Sequence, residues 1–206
     1  MYTAMVTGGL GSGKSTLVGL LCELGAVSID LDEISHTLLQ DDDAYIAELA
    51  ARFGEGILDE CGAVVPARLA ARAFATPQGT ADLNAIAFPH IMQRANDYIL
   101  DVHCTPRTSA KVLAVEVPLL SEVPQFAQLA DEVIAVSAPS ELRLRRAIGR
   151  GMQPADALAR LQRQATDAQR AAIADTICPN DGSPEQLRVW AREWWAATCA
   201  KLGQAG

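Results

Sequence analysis

The chain has 206 residues and a mass of 21.9 kDa, with half of its residues hydrophobic and 20% charged, a composition that suits one sizeable core and excludes a disordered chain. A formal charge of -8 at pH 7 argues against general affinity for nucleic acid or for an anionic membrane surface. No run of 18 apolar residues occurs, no basic leader precedes the apolar start, and five scattered cysteines form no C-x-x-C pair, so the expectation is a reduced, cytoplasmic protein that neither spans nor binds a membrane.

The first predicted element is a buried strand over residues 3–7, "TAMVT", followed directly by "GGLGSGKST". Gly8-x-x-x-x-Gly13-Lys14-Ser15 matches the P-loop pattern in its proper setting, after a strand and opening a helix. Glycines such as Gly9, Gly11 and Gly13 let the backbone turn its N–H groups toward an anion, and the helix start adds positive partial charge. Ser12 and Thr16 complete the cradle. Lys14 would reach the outer phosphates of a nucleotide, and the Ser15 hydroxyl would sit on Mg²⁺. The competing reading is a glycine-rich turn that happens to contain Lys-Ser.

A second strand over residues 26–30 ends in "SIDLDEIS". If the extended backbone persists, Asp30 and Asp32 face the same side at the carboxyl end of the strand, where ligands bind in open α/β sheets. One of them could take a proton from a phosphate acceptor; alternatively, Asp32 caps the helix that follows. Residues 41–103 read as helical, with the acids 41–43 at a helix start. Strands are predicted over 111–117 and 131–137, and a fifth over 175–178. Between the last two, residues 140–174 hold seven arginines, no lysine and three acids. Such a helical segment is either a solvated face laced with ion pairs or a clamp for phosphate, with Arg146 and Arg150 one turn apart as its candidates. Leu187, Trp190 and Trp194 share helical spacing in the last segment and read as core. Buried strands alternating with helices define an α/β fold: a parallel five-stranded sheet of P-loop type, covered on both faces.

The ordered segments "TGGLGSGKST", "LGAVSIDLDEI", "FGEGILDECGAV", "LNAIAFPHI", "VEVPLLSE", "ELRLRRAIGR", "RLQRQ" and "AD…NDGS" resemble the dephospho-CoA kinase family along nearly the whole chain. The resemblance implies a single P-loop kinase domain over 1–206. Its nucleotide-binding core would be 1–40, 104–139 and 175–206, its helical acceptor region 41–103 and its lid 140–174. It further implies ATP and dephospho-CoA as small-molecule substrates, with Mg²⁺, and transfer of the γ-phosphoryl group to the ribose 3′-hydroxyl in the last step of coenzyme A synthesis. Asp32 matches the family's proton acceptor, Lys14, Arg146 and Arg150 its catalytic cations, and Asn180 and Gly182 a loop near adenine. Pro118, Leu119, Leu120 and Glu122 would shape the acceptor side.

Two departures fall in the acceptor region. Phe88 stands before Pro89 where the family commonly has histidine, with His90 beyond it, and Pro66 and Ala67 stand where an arginine is usual, with Arg68 just after. Among rival functions, a switch GTPase lacks its N-K-x-D signature here. Another small-molecule or nucleotide P-loop kinase would share the loop and the lid and is separated by a substrate panel, and a nucleotide-binding protein without transferase activity would lack a competent Asp32.

Overall fold

The computed structural model describes residues 1–104, 111–117, 120 and 124–204. Five strands, β1 (Tyr2–Thr7), β2 (Val27–Asp30), β3 (Val112–Glu116), β4 (Glu132–Ser137) and β5 (Thr176–Pro179), form one sheet in the order β2-β3-β1-β4-β5. All four pairings are parallel. The predicted strands match these spans to within a residue or so, and the P-loop-type α/β class stands.

Two compact units divide the chain: Met1–Asp30 with Thr105–Gly206, and Leu31–Cys104. The helical unit thus begins at Leu31 rather than at residue 41. In the first unit the central strands β1, β3 and β4 are buried on both sides, which is why they read as apolar runs, whereas the edge strands β2 and β5 are only partly buried. Ala4, Val6, Val112, Ala114, Ile134, Val136 and Cys178 share one core with helix α1 (Lys14–Glu23) and the final helix α9 (Pro184–Gln204). The alternate strand residues Met5, Leu113, Val115 and Val133 are buried as well. Leu187 and Trp194 enter that core and Trp190 packs at its margin, as the helical spacing predicts. Burial pushes the Cys178 thiol up to about 12, so it stays a protonated packing group.

Two acids, Glu116 and Glu132, are buried inside this apolar unit. Glu132, 7% exposed at the start of β4, accepts hydrogen bonds from Tyr2 Oη (2.7 Å), Thr176 Oγ1 (2.6 Å) and Trp194 Nε1 (3.0 Å). Burial works to raise its pKa, but the donors Thr176, Trp194 and Tyr2, with the charge of Lys201, together hold the carboxyl below its ordinary value. Glu132→Ala leaves three donors without their acceptor and is expected to cost about 3 kcal/mol of unfolding free energy by urea titration. The sign with pH follows from the depressed pKa. The stabilisation is fully present above the unfolded-state value, about 4.3, and is lost as pH falls through the lower folded-state value.

The second unit contains α2 (Leu31–Asp41), α3 (Asp43–Phe53), a 3₁₀ turn (Glu55–Ile57), α4 (Pro66–Ala73) and α5 (Pro77–Cys104). Its core gathers Leu38, Tyr45, Leu49, Phe53, Ile57, Leu69 and Ala87. The acidic run does start a helix: the Asp42 carboxylate caps α3 by accepting from the Tyr45 N–H at 2.9 Å. Pro66 also has a structural reason, since it opens α4, where a missing N–H costs nothing. Arg68 just beyond donates to the Leu58 carbonyl at 2.7 Å.

Candidate active site

Helix α1 starts on Gly13, which has φ 102° and no side-chain cap, and carries no acid in its first turn. Its leading amides therefore lack both an acceptor and a countercharge, the arrangement that receives an anion. Gly11, with φ 72°, turns the loop in a conformation that side chains disfavour. The loop is also packed too tightly for side chains. A Cβ on Gly13 would collide with Asn180 Nδ2, and one on Gly11 with the Arg143 carbonyl.

At the helix start, Lys14 Nζ lies 3.7 Å from Glu116 Oε1, and the Ser15 hydroxyl donates to the same oxygen at 2.8 Å. Glu116 is the last residue of β3 and only 8% exposed. Strand register sets it beside Val6 of β1 and Asp30 of β2. Glu116 is the residue in contact with the loop that sequence reasoning passed over. Its signal was present, as the single acid in "KVLAVEV", because a buried acid ending an apolar strand needs a partner. The Ser15 and Glu116 oxygens make a hard, oxygen-only donor pair that fits a small divalent cation. Among the described residues no cluster of three or more metal-binding side chains exists.

The other predicted residues fall as follows. Ser12 is buried, its amide closing the turn onto the Gly9 carbonyl at 3.1 Å. Thr16 is exposed in the first turn of α1. Asn180, 7% exposed, braces the loop rather than facing out of it: its Nδ2 donates to the Ser12 carbonyl at 2.6 Å. Gly182 packs against the Gln186 amide at the start of α9.

Two expectations are corrected by the backbone. The extended conformation stops at Asp30, because α2 begins at Leu31. Asp32 is therefore neither a strand neighbour of Asp30 nor a cap; it lies exposed in the first helical turn. Similarly, α6 (Ser140–Gly149) ends before Arg150, which is exposed at its C-cap. Arg146 instead donates to the Asn180 carbonyl at 2.9 Å, so the two arginines do not form a matched pair. Phe88 is half-buried on α5, and Leu120 is fully buried. Pro118, Leu119 and Glu122 lie outside the described residues.

A phosphate loop after the central strand of a parallel sheet, with a cation and an oxygen pair at the helix it opens, places the chain among P-loop nucleotide-binding proteins, in the kinase-like branch of that class. Sequence similarity narrows the class. The family model of dephospho-CoA kinase matches residues 2–186, and the chain belongs to that family of ATP-dependent kinases. The dephospho-CoA kinase of Corynebacterium diphtheriae is 38% identical over 191 residues, covering 92% of this chain and 94% of its own length. A solved protein from Thermus thermophilus superposes with a TM-score of 0.76 at 26% identity, covering 98% of this chain and 97% of its own. Dephospho-CoA kinase from Campylobacter jejuni shares the fold with a TM-score of 0.70 at 23% identity, over 94% of this chain and 95% of its own.

Proposed function

We propose that this protein transfers the γ-phosphoryl group of ATP to the 3′-hydroxyl of dephospho-CoA, giving CoA and ADP. The observation that carries the reading is the meeting of Lys14, Ser15 and Glu116 at the uncapped start of α1 in a chain matched by that family through residues 2–186. The loop amides and Lys14 bind and orient the phosphates and stabilise the charge that moves toward the leaving ADP oxygen. Asp32 accepts the proton of the ribose hydroxyl as its oxygen forms the new bond to phosphorus and the β–γ bridge breaks. The helical unit Leu31–Cys104 carries acceptor-binding residues, Phe88 among them. Segment 140–174 is the lid, with Arg150 among its exposed cations. No described helix is long and apolar enough to cross a membrane, and the free thiols of Cys22, Cys61, Cys178 and Cys199 support a reducing, cytoplasmic setting.

The test is direct: purified protein, ATP, Mg²⁺ and dephospho-CoA, with CoA and ADP followed by mass. Absence of CoA while ADP accumulates with another acceptor would reassign the substrate.

Mg²⁺ is the cation we assign to the Ser15 and Glu116 oxygens. When bound, it neutralises charge on the transferring phosphates. Glu116 holds the Ser15 hydroxyl in place through the 2.8 Å hydrogen bond. Glu116→Gln is therefore expected to raise the Mg²⁺ concentration needed for half-maximal ATP binding by about 10- to 100-fold, read by calorimetry at fixed ATP. An unchanged Mg²⁺ dependence would leave Glu116 only a packing role.

A further inference from the structure

One side of the phosphate loop is already engaged by oxygens of the chain itself. The Leu10 N–H, near the middle of the loop, donates to Gln164 Oε1 at 2.8 Å. Gln164 is the C-cap of α7 (Pro154–Arg163), and its neighbour in sequence is the short helix α8 (Asp167–Ala171). From α8, the Asp167 carboxylate reaches Arg143 Nη1 at 3.4 Å and Arg170 Nη1 at 3.1 Å. Both arginines are almost fully buried, at 5% and 3% exposure. They also converge on the loop: a Cβ at Gly9 would collide with Arg143 Nη1 and lie 3.2 Å from Arg170 Nη1.

Arg143 is poorly served by this arrangement. Its Nε and Nη1 are buried without a hydrogen bond, the contact to Asp167 being an ion pair without hydrogen-bond geometry. A buried guanidinium with unused donors is costly unless an anion completes it. Asp167, in contrast, keeps a side chain 38% exposed, so it can leave this contact for water. A loop amide and a buried guanidinium fork, both met by side-chain oxygens from the same short segment, have the recognition chemistry of a phosphate group.

We infer that Gln164 and Asp167 are stand-ins for phosphate oxygens, and that the nucleotide displaces them to bind the Leu10 amide and Arg143. This rests on the assignment of the loop as an ATP site. It makes Arg143 a phosphate-binding residue in addition to Lys14, and it makes residues 164–167 an internal competitor of the nucleotide. Binding of ATP must then break the Gln164 and Asp167 contacts, which releases the segment that holds them. A competitor weakens the ligand it mimics, so removing it has the opposite sign from removing a binding group.

The experiment is calorimetric titration of the full chain with ATP and Mg²⁺, in the absence of dephospho-CoA. Arg143→Gln is expected to weaken ATP by about 10- to 100-fold, the range for losing hydrogen bonds to a charged group. Gln164→Ala and Asp167→Asn are expected to tighten ATP by about 3- to 10-fold, with Asp167→Asn lowering the thermal midpoint of the free protein. Gln164 is half-buried and lies just past a helix end, so its alanine variant tests the idea even where a charge change impairs folding. Unchanged or weakened ATP binding in Gln164→Ala, or unchanged binding in Arg143→Gln, overturns the inference. If wild-type protein binds ATP but does not phosphorylate dephospho-CoA, the acceptor assignment fails and this inference stands.

Discussion

Lys14→Ala is expected to lower kcat by at least about 10³-fold, equivalent to about 4 kcal/mol of barrier, while the thermal midpoint stays close to wild type. The structural cost is small for identifiable reasons. Lys14 is the first residue of α1, where alanine is a good helix former. Its link to Glu116 is an ion pair of 3.7 Å, too long for a hydrogen bond, and Glu116 keeps the Ser15 hydroxyl at 2.8 Å when the lysine is gone. What disappears is a positive charge, 13% exposed, at a helix start that has no other basic side chain within the loop. Charge shifts toward the leaving oxygen during phosphoryl transfer, so the loss is greater in the transition state than in the bound state. Single-turnover formation of ADP is the measurement. A rate within tenfold of wild type would show that the loop amides alone suffice and that Lys14 is decorative.

The loop was legible because its chemistry is local. Gly11 and Gly13 are needed for their backbone angles, and Lys14 and Ser15 follow at fixed offsets, so one short segment carries the whole pattern. The central strands β1, β3 and β4 were legible for a different reason: burial on both faces makes them largely apolar. Glu116 belongs to the same strand signal. It was passed over because an acid at a strand end is ordinary on a sheet that faces water, and only the register beside Val6 makes this one the partner of the loop.

The arginine segment shows where sequence reasoning stops. Spacing places Arg143, Arg146 and Arg150 on neighbouring turns, and helical charge patterning normally turns such residues to solvent. In α6 the buried positions are Arg143 and Ala147, so the inward face runs through an arginine. Nothing in the local pattern selects Arg143, because the choice depends on α6 lying against Gly9 and Gly11, residues more than 130 positions away in the chain. Gln164 is harder still, since it is a neutral side chain at the end of a ten-residue helix. Its role rests on one tertiary hydrogen bond to Leu10.

Asp32→Asn is the other substitution with a large expected effect, a loss of roughly 10²- to 10⁴-fold in kcat, or about 3 to 5 kcal/mol. A ribose hydroxyl is a weak nucleophile at neutral pH, and asparagine can orient it but cannot take its proton. In the first turn of α2 the negative carboxylate interacts favourably with the helix dipole. Losing that interaction costs at most about 1 kcal/mol of stability for an exposed residue, so the thermal midpoint should move by only a few degrees and ATP affinity little. Asp30→Asn is the control. Asp30 ends β2 beside Glu116 in register, so its replacement is expected to act on the cation-binding oxygens and to be partly recovered by raising Mg²⁺, whereas Asp32→Asn is not. Raising the pH should also separate them, because added base can stand in for a missing proton acceptor but not for a missing ligand. If Asp30→Asn alone abolished turnover at every Mg²⁺ concentration while Asp32→Asn stayed near the wild-type rate, the proton acceptor would be Asp30 at the end of the strand. If both variants remained active, the hydroxyl would lose its proton to solvent, and transfer would depend on Lys14 and the loop amides for its acceleration.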